Sequence, residues 1–455
     1  YFPNLFEGGI HILPPYPSSG DRGFAPLTYF EIDPQFGDWE DVRNLAEDYD
    51  ILLDIMVNHI SQKSPYFQDF LKNGRDSQYA DYFLTLEKIW EDGVPVQSDI
   101  DQMFLRRKVP YSEFIIEKTG EVAAYGSAEQ KGAQLAVDEI NAKGGADGKK
   151  IVVTDKDNKS ETAEAATVTT NLVTQSKVNA LVGPATSGAT AAAVANAGKA
   201  GVPLVTPSAT QDNLTKGQDY LFRATFIDSF QGKIIAKYTT DNLKAKKVVL
   251  YYDNSSDYAK GIAEAFKKSY KGEIVATETF QSKDTDFQAA LTKIKDKDFD
   301  AIVLPGYYTE TGKIVNQARG MGIKQPIIGG DGFSDAKFVE QATPAAATDI
   351  YYVAGFSTEG EMTDKAKKFV EAYKAKYNEE PSMFAALAYD SVYMVAEASK
   401  GAKNSVELKD NLAKLKDLEG VTGTMSVDKN HNPVKSALMI GLKDGKVKSV
   451  ESVKP

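Results

Sequence analysis

From residue 122 onward, short apolar runs alternate with longer stretches whose apolar residues recur at helical spacing. The runs at 150–154, 178–182, 202–205, 247–252, 299–304 and 326–329 predict buried strands. The stretches 160–174, 188–199, 258–270, 285–296 and 310–321 predict the helices between them. This rhythm is that of a doubly wound parallel α/β sheet, and it runs too long and too evenly for one sheet, so two lobes are expected. Residues 424–452 alternate around Asp428-Lys-Asn-His-Asn432 and around Asp444-Gly445, which predicts a terminal antiparallel piece. Before residue 120 the pattern differs. Gly9-Ile-His-Ile-Leu-Pro-Pro15 reads as a strand closed by a double proline, Trp39–Glu47 as a helix, and Ile51–Val57 as a second strand ending in Asn58-His59. Strand, helix and strand in that order suit a parallel barrel or a doubly wound sheet.

Composition changes at the same place. Residues 1–120 carry 21 acidic and 10 basic side chains, so the whole net charge of -11 resides there and the rest is neutral. Both tryptophans, Trp39 and Trp90, fall in that segment, whereas after it Arg occurs only at 223 and 319 and Ala becomes dense. Two segments of different origin are expected, 1–120 and 122–455, with the junction near Thr119–Val122. The acidic balance argues against nucleic acid as a partner. The absence of cysteine excludes disulfides, thiolate zinc sites, cysteine nucleophiles and a lipid-anchoring Cys, and three histidines leave little for imidazole metal sites. No cationic, apolar leader opens the chain, so any export signal is expected to have been removed or never to have been attached.

The first segment carries HILPPYPSSGDRGFAP and DIMVNH in order, followed by Phe67-Gln-Asp-Phe-Leu and Met103-Phe-Leu-Arg-Arg. It resembles the sucrose phosphorylase branch of the alpha-amylase-like glycosidases, which implies an incomplete (β/α) barrel. By that resemblance Asp21, Phe24 and His59 line a vestigial sugar subsite, and Asp54 and Asn58 share its strand-end motif. Retaining glycoside chemistry needs a carboxylate nucleophile and a carboxyl acid/base about 5–5.5 Å apart. The family draws these from later Arg-x-Asp and Glu-Val-His motifs, and residues 60–455 contain neither. The segment is expected to be catalytically dead, against the rival reading of a glucosyl transferase acting on sucrose or sucrose 6-phosphate.

In the second segment four predicted strands end in small polar or aromatic residues: Val182-Gly-Pro-Ala-Thr-Ser-Gly-Ala-Thr190, Thr206-Pro-Ser-Ala-Thr-Gln211, Pro305-Gly-Tyr-Tyr308 and Gly329-Gly-Asp-Gly332. Open α/β sheets bind ligands at such ends, where helix N-termini offer amides to anions. Ser187 is expected to cap its helix. Catalysis is not expected, because a Ser187 nucleophile would have only His431 as base and no hydrolase, zinc-protease or phosphate-loop motif occurs. Asp155-Lys-Asp-Asn-Lys159 and Asp428-Lys-Asn-His-Asn432 lack the glycine of a calcium loop, so no metal and no cofactor are expected.

These strand ends, with Val122-Ala-Ala-Tyr-Gly126, Gly132-Ala-Gln-Leu-Ala-Val-Asp-Glu-Ile-Asn141 and Gly312-Lys-Ile-Val-Asn-Gln-Ala-Arg-Gly320, resemble the leucine/isoleucine/valine-binding type of extracytoplasmic solute-binding protein of ABC importers, in its Gram-positive form. The resemblance runs from Val122 to Pro455 and lacks the family's opening strand. It implies a two-lobed, type I periplasmic-binding-protein-like fold, with lobe one at about 122–227 and 355–425 and lobe two at about 228–354 and 426–455. The implied ligand is a branched-chain amino acid, bound by Ser187, Ser208, Thr210, Tyr258, Tyr307 and Asp331, with Tyr125 and Phe356 along the side-chain pocket. The implied partner is a membrane permease, and the implied location is extracytoplasmic, at the cell surface. A scaffold without ligand is the third reading, should loss of the opening strand unfold the first lobe.

Overall fold

The computed structural model describes residues 9–19, 25–54, 60–83 and 120–453. The chain divides into two compact units, Tyr1–Glu113 and Phe114–Pro455.

In the first unit β1 (Gly9–Ile12) lies parallel to β2 (Asp50–Leu53), with Ile10 opposite Ile51. The connection contains α1 (Trp39–Asp48), and α2 (Pro65–Asn73) follows β2. Helix α1 starts where it does because Asp38 accepts from the Glu40 and Asp41 amides while Asp41 returns a bond to the Asp38 amide. Among the described residues of this unit several large apolar side chains find little cover: Leu13, Phe30, Phe36 and Leu52 are each at least 60% exposed. Asp21, Phe24, Asn58 and His59 lie outside the described residues.

The second unit begins with α3 (Ala123–Ala142) and α4 (Thr162–Thr174). Next come β3 (Leu181–Val182), α5 (Ser187–Lys199), β4 (Leu204–Thr206) and β5 (Leu221–Arg223), whose strands form a parallel sheet ordered β3-β4-β5. The chain then leaves this sheet through α6 (Asp228–Asp241) for β6 (Lys247–Asp253), α7 (Asp257–Ser269), β7 (Glu273–Phe280), α8 (Gln288–Lys295), β8 (Ala301–Val303), α9 (Tyr308–Gly320), β9 (Ile327–Gly329), α10 (Ala336–Ala342) and β10 (Ile350–Ala354). It returns to the side of the first sheet as α11 (Asp364–Tyr377), α12 (Met383–Ala398) and α13 (Ser405–Leu412), followed by β11 (Leu418–Gly420) and β12 (Gly423–Met425), which pair antiparallel as a small sheet of their own. It crosses once more to finish as the hairpin β13 (Ala437–Lys443) and β14 (Lys446–Val453). The larger sheet is ordered β14-β13-β10-β9-β8-β6-β7, parallel from β7 to β10 and antiparallel beyond.

Helix α12 is buried along nearly its whole length and lies against α3 and the β3–β4 face. The approach is so close that a Cβ at Gly132 of α3 would sit 1.9 Å from the Ala385 carbonyl oxygen. Two expectations need correction. Residues 150–154 form no strand, and Val152 stands 87% exposed there. A β-rich run needs a partner to pair with, and among the described residues β3 pairs only with β4. Ser187 is not the helix cap: Thr186 takes that position, and Ser187 is the first helical residue.

Candidate ligand-binding cleft

Four strand ends and two helices build the site. After β3 the chain turns at Pro184, whose carbonyl accepts from Thr206 Oγ1 at 2.7 Å and Thr190 Oγ1 at 3.2 Å. This fixes the start of α5 with its first amides unsatisfied by the helix itself. Ser187 is 3% exposed, and its hydroxyl accepts from the Gln211 amide at 3.2 Å, which ties the α5 start to the loop after β4. In that loop Ser208 donates to the Ala185 carbonyl at 2.9 Å and also contacts the Glu129 carboxylate from α3. Arg223 of β5, fully buried, donates to the Ala209 and Gln211 carbonyls at 3.1 and 3.0 Å and holds the loop in place. Burial lowers its pKa to about 10, against the pull of Asp228 and other carboxylates.

From the larger sheet, Tyr307 after β8 stacks on Tyr258 of α7 at 4.9 Å between centroids. Asp331 follows β9. Its amide donates to Gln231 Oε1 at 3.0 Å, and its carboxylate accepts from Gln231 Nε2 at 3.1 Å. Tyr125 of α3 stacks on Phe384 of α12 at 3.9 Å and donates to the Gly332 carbonyl.

Seven of the side chains named from sequence therefore border one pocket: Tyr125, Ser187, Ser208, Thr210, Tyr258, Tyr307 and Asp331. Phe384 joins them, while Phe356 does not line this pocket and stands edge-on to Phe369 at 5.8 Å between centroids, in the same core cluster as Tyr125 and Phe384. The pocket holds about 10 Å³, room for roughly one water molecule.

The electrostatics are those of buried carboxyls with no cationic side chain among the residues lining the pocket. Burial pushes the Asp331 carboxyl up to about 6, although Tyr258, Gln231 and two backbone amides hold it down. Burial also raises Asp228 well above the carboxylate range, with Asp331 adding to the effect. The Thr210 hydroxyl lies beside Asp228 yet makes no well-aligned hydrogen bond among the described residues. A buried carboxyl, a hydroxyl beside it and the amides at a helix start suit a ligand that carries an ammonium and a carboxylate on one carbon. Among the described residues no cluster of three or more metal-ligating side chains occurs.

Sequence reasoning did not name Phe384, Glu129, Arg223, Gln231 or Asp228. Glu129 stands one helical turn after Tyr125, so it shares a face with a residue already singled out. Phe384 carries no such local signal.

Residues 114–446 match the periplasmic binding protein family, and residues 1–106 match the alpha amylase catalytic domain. The chain is 34% identical over 303 residues to the Leu/Ile/Val-binding protein BraC3 of Rhizobium johnstonii, covering 66% of this chain and 81% of that protein. It is 66% identical over 121 residues to the sucrose 6(F)-phosphate phosphorylase of Thermoanaerobacterium thermosaccharolyticum, of which it spans only 25%. Among solved structures, the branched-chain amino acid substrate-binding protein LivJ of Streptococcus pneumoniae in complex with isoleucine superposes with a TM-score of 0.73 at 72% identity, over 74% of this chain and 97% of that one. The leucine-binding protein LivK of Thermotoga maritima superposes with a TM-score of 0.71 at 31% identity, over 74% and 96%.

Proposed function

Starting from a chain that belongs, over residues 114–446, to the periplasmic binding protein family, we propose that it is the solute-binding component of an ABC importer for branched-chain amino acids. The observation that carries this reading is the gathering of one buried carboxyl, four serine and threonine hydroxyls and an aromatic wall around one pocket. Asp331 and Thr210 take the ligand ammonium. Ser187 and the first amides of α5 take its carboxylate. Tyr125, Tyr258, Tyr307 and Phe384 enclose an aliphatic side chain, which fits the ligand named for the isoleucine-bound relative. Lobe one comprises residues 122–227 and 355–425, and lobe two residues 228–354 and 426–455. The three chain crossings between the two sheets form the hinge. The protein works outside the cytoplasm and delivers its cargo to a membrane permease.

The first segment has no catalytic part in this reading. The motifs that supply the nucleophile and the acid of the retaining mechanism do not occur in residues 60–455. Calorimetric titration with leucine, isoleucine and valine tests the proposal: one-to-one binding of at least one of them is expected, and no heat and no thermal shift with any of the three overturns it. Release of glucose 1-phosphate from sucrose and phosphate above a buffer control would restore the enzyme reading.

A further inference from the structure

Two buried polar atoms next to the cleft are left without aligned partners. Asp228, the first residue of α6, is wholly buried and does not line the pocket. Its amide donates to the Thr210 carbonyl at 2.9 Å, and its carboxyl lies beside the Thr210 hydroxyl. One carboxyl oxygen, Oδ1, faces Gln231 Nε2 at 3.5 Å. The other, Oδ2, makes no aligned hydrogen bond among the described residues, and neither does Thr210 Oγ1 on the pocket wall. Helix α7 packs against Oδ2, where a Cβ at Gly261 would stand 2.7 Å away, and brings no donor to it. Gln231 is held in one orientation. Its Oε1 accepts from the Asp331 amide at 3.0 Å, so Nε2 is the atom presented to the Asp331 carboxylate, at 3.1 Å, and to Asp228. The Asp228 carboxyl is thereby oriented, with Oδ1 toward a donor and Oδ2 left for Thr210.

We propose that Asp228 is a positioning residue that sets the direction of the Thr210 hydroxyl and so selects an α-amino acid over its α-hydroxy counterpart. The inference rests on the amino-acid reading of the cleft and deepens it. A hydroxyl carries a single proton. When Oδ2 takes that proton, Thr210 offers the pocket its lone pairs, which accept from an ammonium that can only donate. With no acceptor at 228 the proton is free to turn into the pocket, where it opposes the ammonium. A ligand hydroxyl both donates and accepts, so it meets either direction of Thr210 equally well. Burial raises the Asp228 carboxyl, with Asp331 and Asp212 adding to the effect and Thr210 and Arg223 opposing it. An ammonium held one hydroxyl away favours the carboxylate.

Calorimetric titration of the full chain with leucine and with its hydroxy analogue, 2-hydroxy-4-methylpentanoate, gives the selectivity ratio that tests this. Asp228→Asn keeps the shape of the side chain. Gln231 Nε2 holds the new carbonyl, so the amide nitrogen donates to Thr210 and turns the hydroxyl proton into the pocket. Leucine affinity is expected to fall roughly 10- to 150-fold, the equivalent of a charged hydrogen bond, while the analogue loses far less. Asp228→Ala, which removes the acceptor without adding a donor, lowers the ratio in the same direction. With Thr210→Val in place, Asp228→Asn should change leucine affinity by less than about threefold, because the hydroxyl it acts through is gone. An unchanged ratio in either Asp228 variant, equal weakening of both ligands, or full additivity with Thr210→Val overturns the proposal while leaving leucine binding by the parent intact. No leucine binding by the parent removes the functional reading, and this inference with it.

Discussion

Asp331 shows how a single side chain can report on its ligand. Its carboxyl is buried and titrates near 6 rather than near 3.8. In the empty protein the folded state therefore holds this proton more tightly than the unfolded chain. Its stabilising contribution is full below about 3.8 and is lost as pH rises through about 6. Binding runs the other way, because an ammonium needs the ionised form. Leucine affinity is expected to fall by up to about tenfold per pH unit below 6 and to level off above about 7. Asp331→Asn should weaken binding at pH 7.5 by roughly 10- to 150-fold, the equivalent of a charged hydrogen bond, and flatten that pH profile. Calorimetry across pH 5–8 on both proteins checks this, and an unchanged slope in the variant would place the titrating group elsewhere. The acid between glycines was visible in sequence because strand ends of α/β sheets are where ligands sit. Phe384 was not, because a phenylalanine inside a buried helix looks the same whether it meets core or cleft.

At the scale of elements, the sequence exposed those with strong periodicity and obscured those whose state depends on neighbours. Strand β7 lies at the sheet edge and mixes exposed Glu with half-buried residues, so it has no apolar run to mark it. The run 150–154 erred in the other direction: its composition is right for a strand and its partner is missing. Packing between helices is similarly non-local. Gly132→Ala must push α3 away from the Ala385 carbonyl, and a loss of about 1–3 kcal/mol is expected in denaturant unfolding. Gly198→Ala, on α5 with nothing within 4 Å of the added methyl, should instead gain about 0.4–1 kcal/mol. A second element-scale effect joins α12 to the β11–β12 turn and, through it, to Lys435 beyond β12. Asp390 accepts from the Val421 and Thr422 amides at 2.8 and 2.9 Å, and buried Lys435 donates to the Ala224 carbonyl at 3.1 Å. Burial lowers the Lys435 pKa to about 8, opposed by Asp390. With its pKa below that of the unfolded chain, Lys435 stabilises most above about 10.5, and that contribution is lost as pH falls through 8. Relative to Lys435→Met, the parent should gain stability between pH 8 and 10, as followed by denaturant midpoints; parallel curves would refute it.

For the whole molecule, the change of composition near residue 120 coincides with a change in how well each unit covers its apolar side chains. Of the described residues before 84, only Tyr16 and Ile32 are buried hydrophobics, whereas the second unit closes several clusters around its sheets. Described residues with so little apolar surface removed from water have little to set against the conformational entropy of ordering their chain. Cleavage by a protease follows the free energy of local opening, which is lowest where buried apolar contacts are fewest. Limited trypsin digestion is therefore expected to degrade the first unit while leaving a fragment that starts before Val122 and extends through the terminal hairpin. Saturating leucine should slow any further loss of that fragment, since a ligand bound only by the folded form stabilises it by about 2.7 kcal/mol at one hundred times its dissociation constant. Mass spectrometry of the digest gives the fragment ends, and titration of the purified fragment gives its affinity. A protected piece within residues 1–113, or a fragment that no longer binds leucine, would mean that the first segment supports the second rather than merely preceding it.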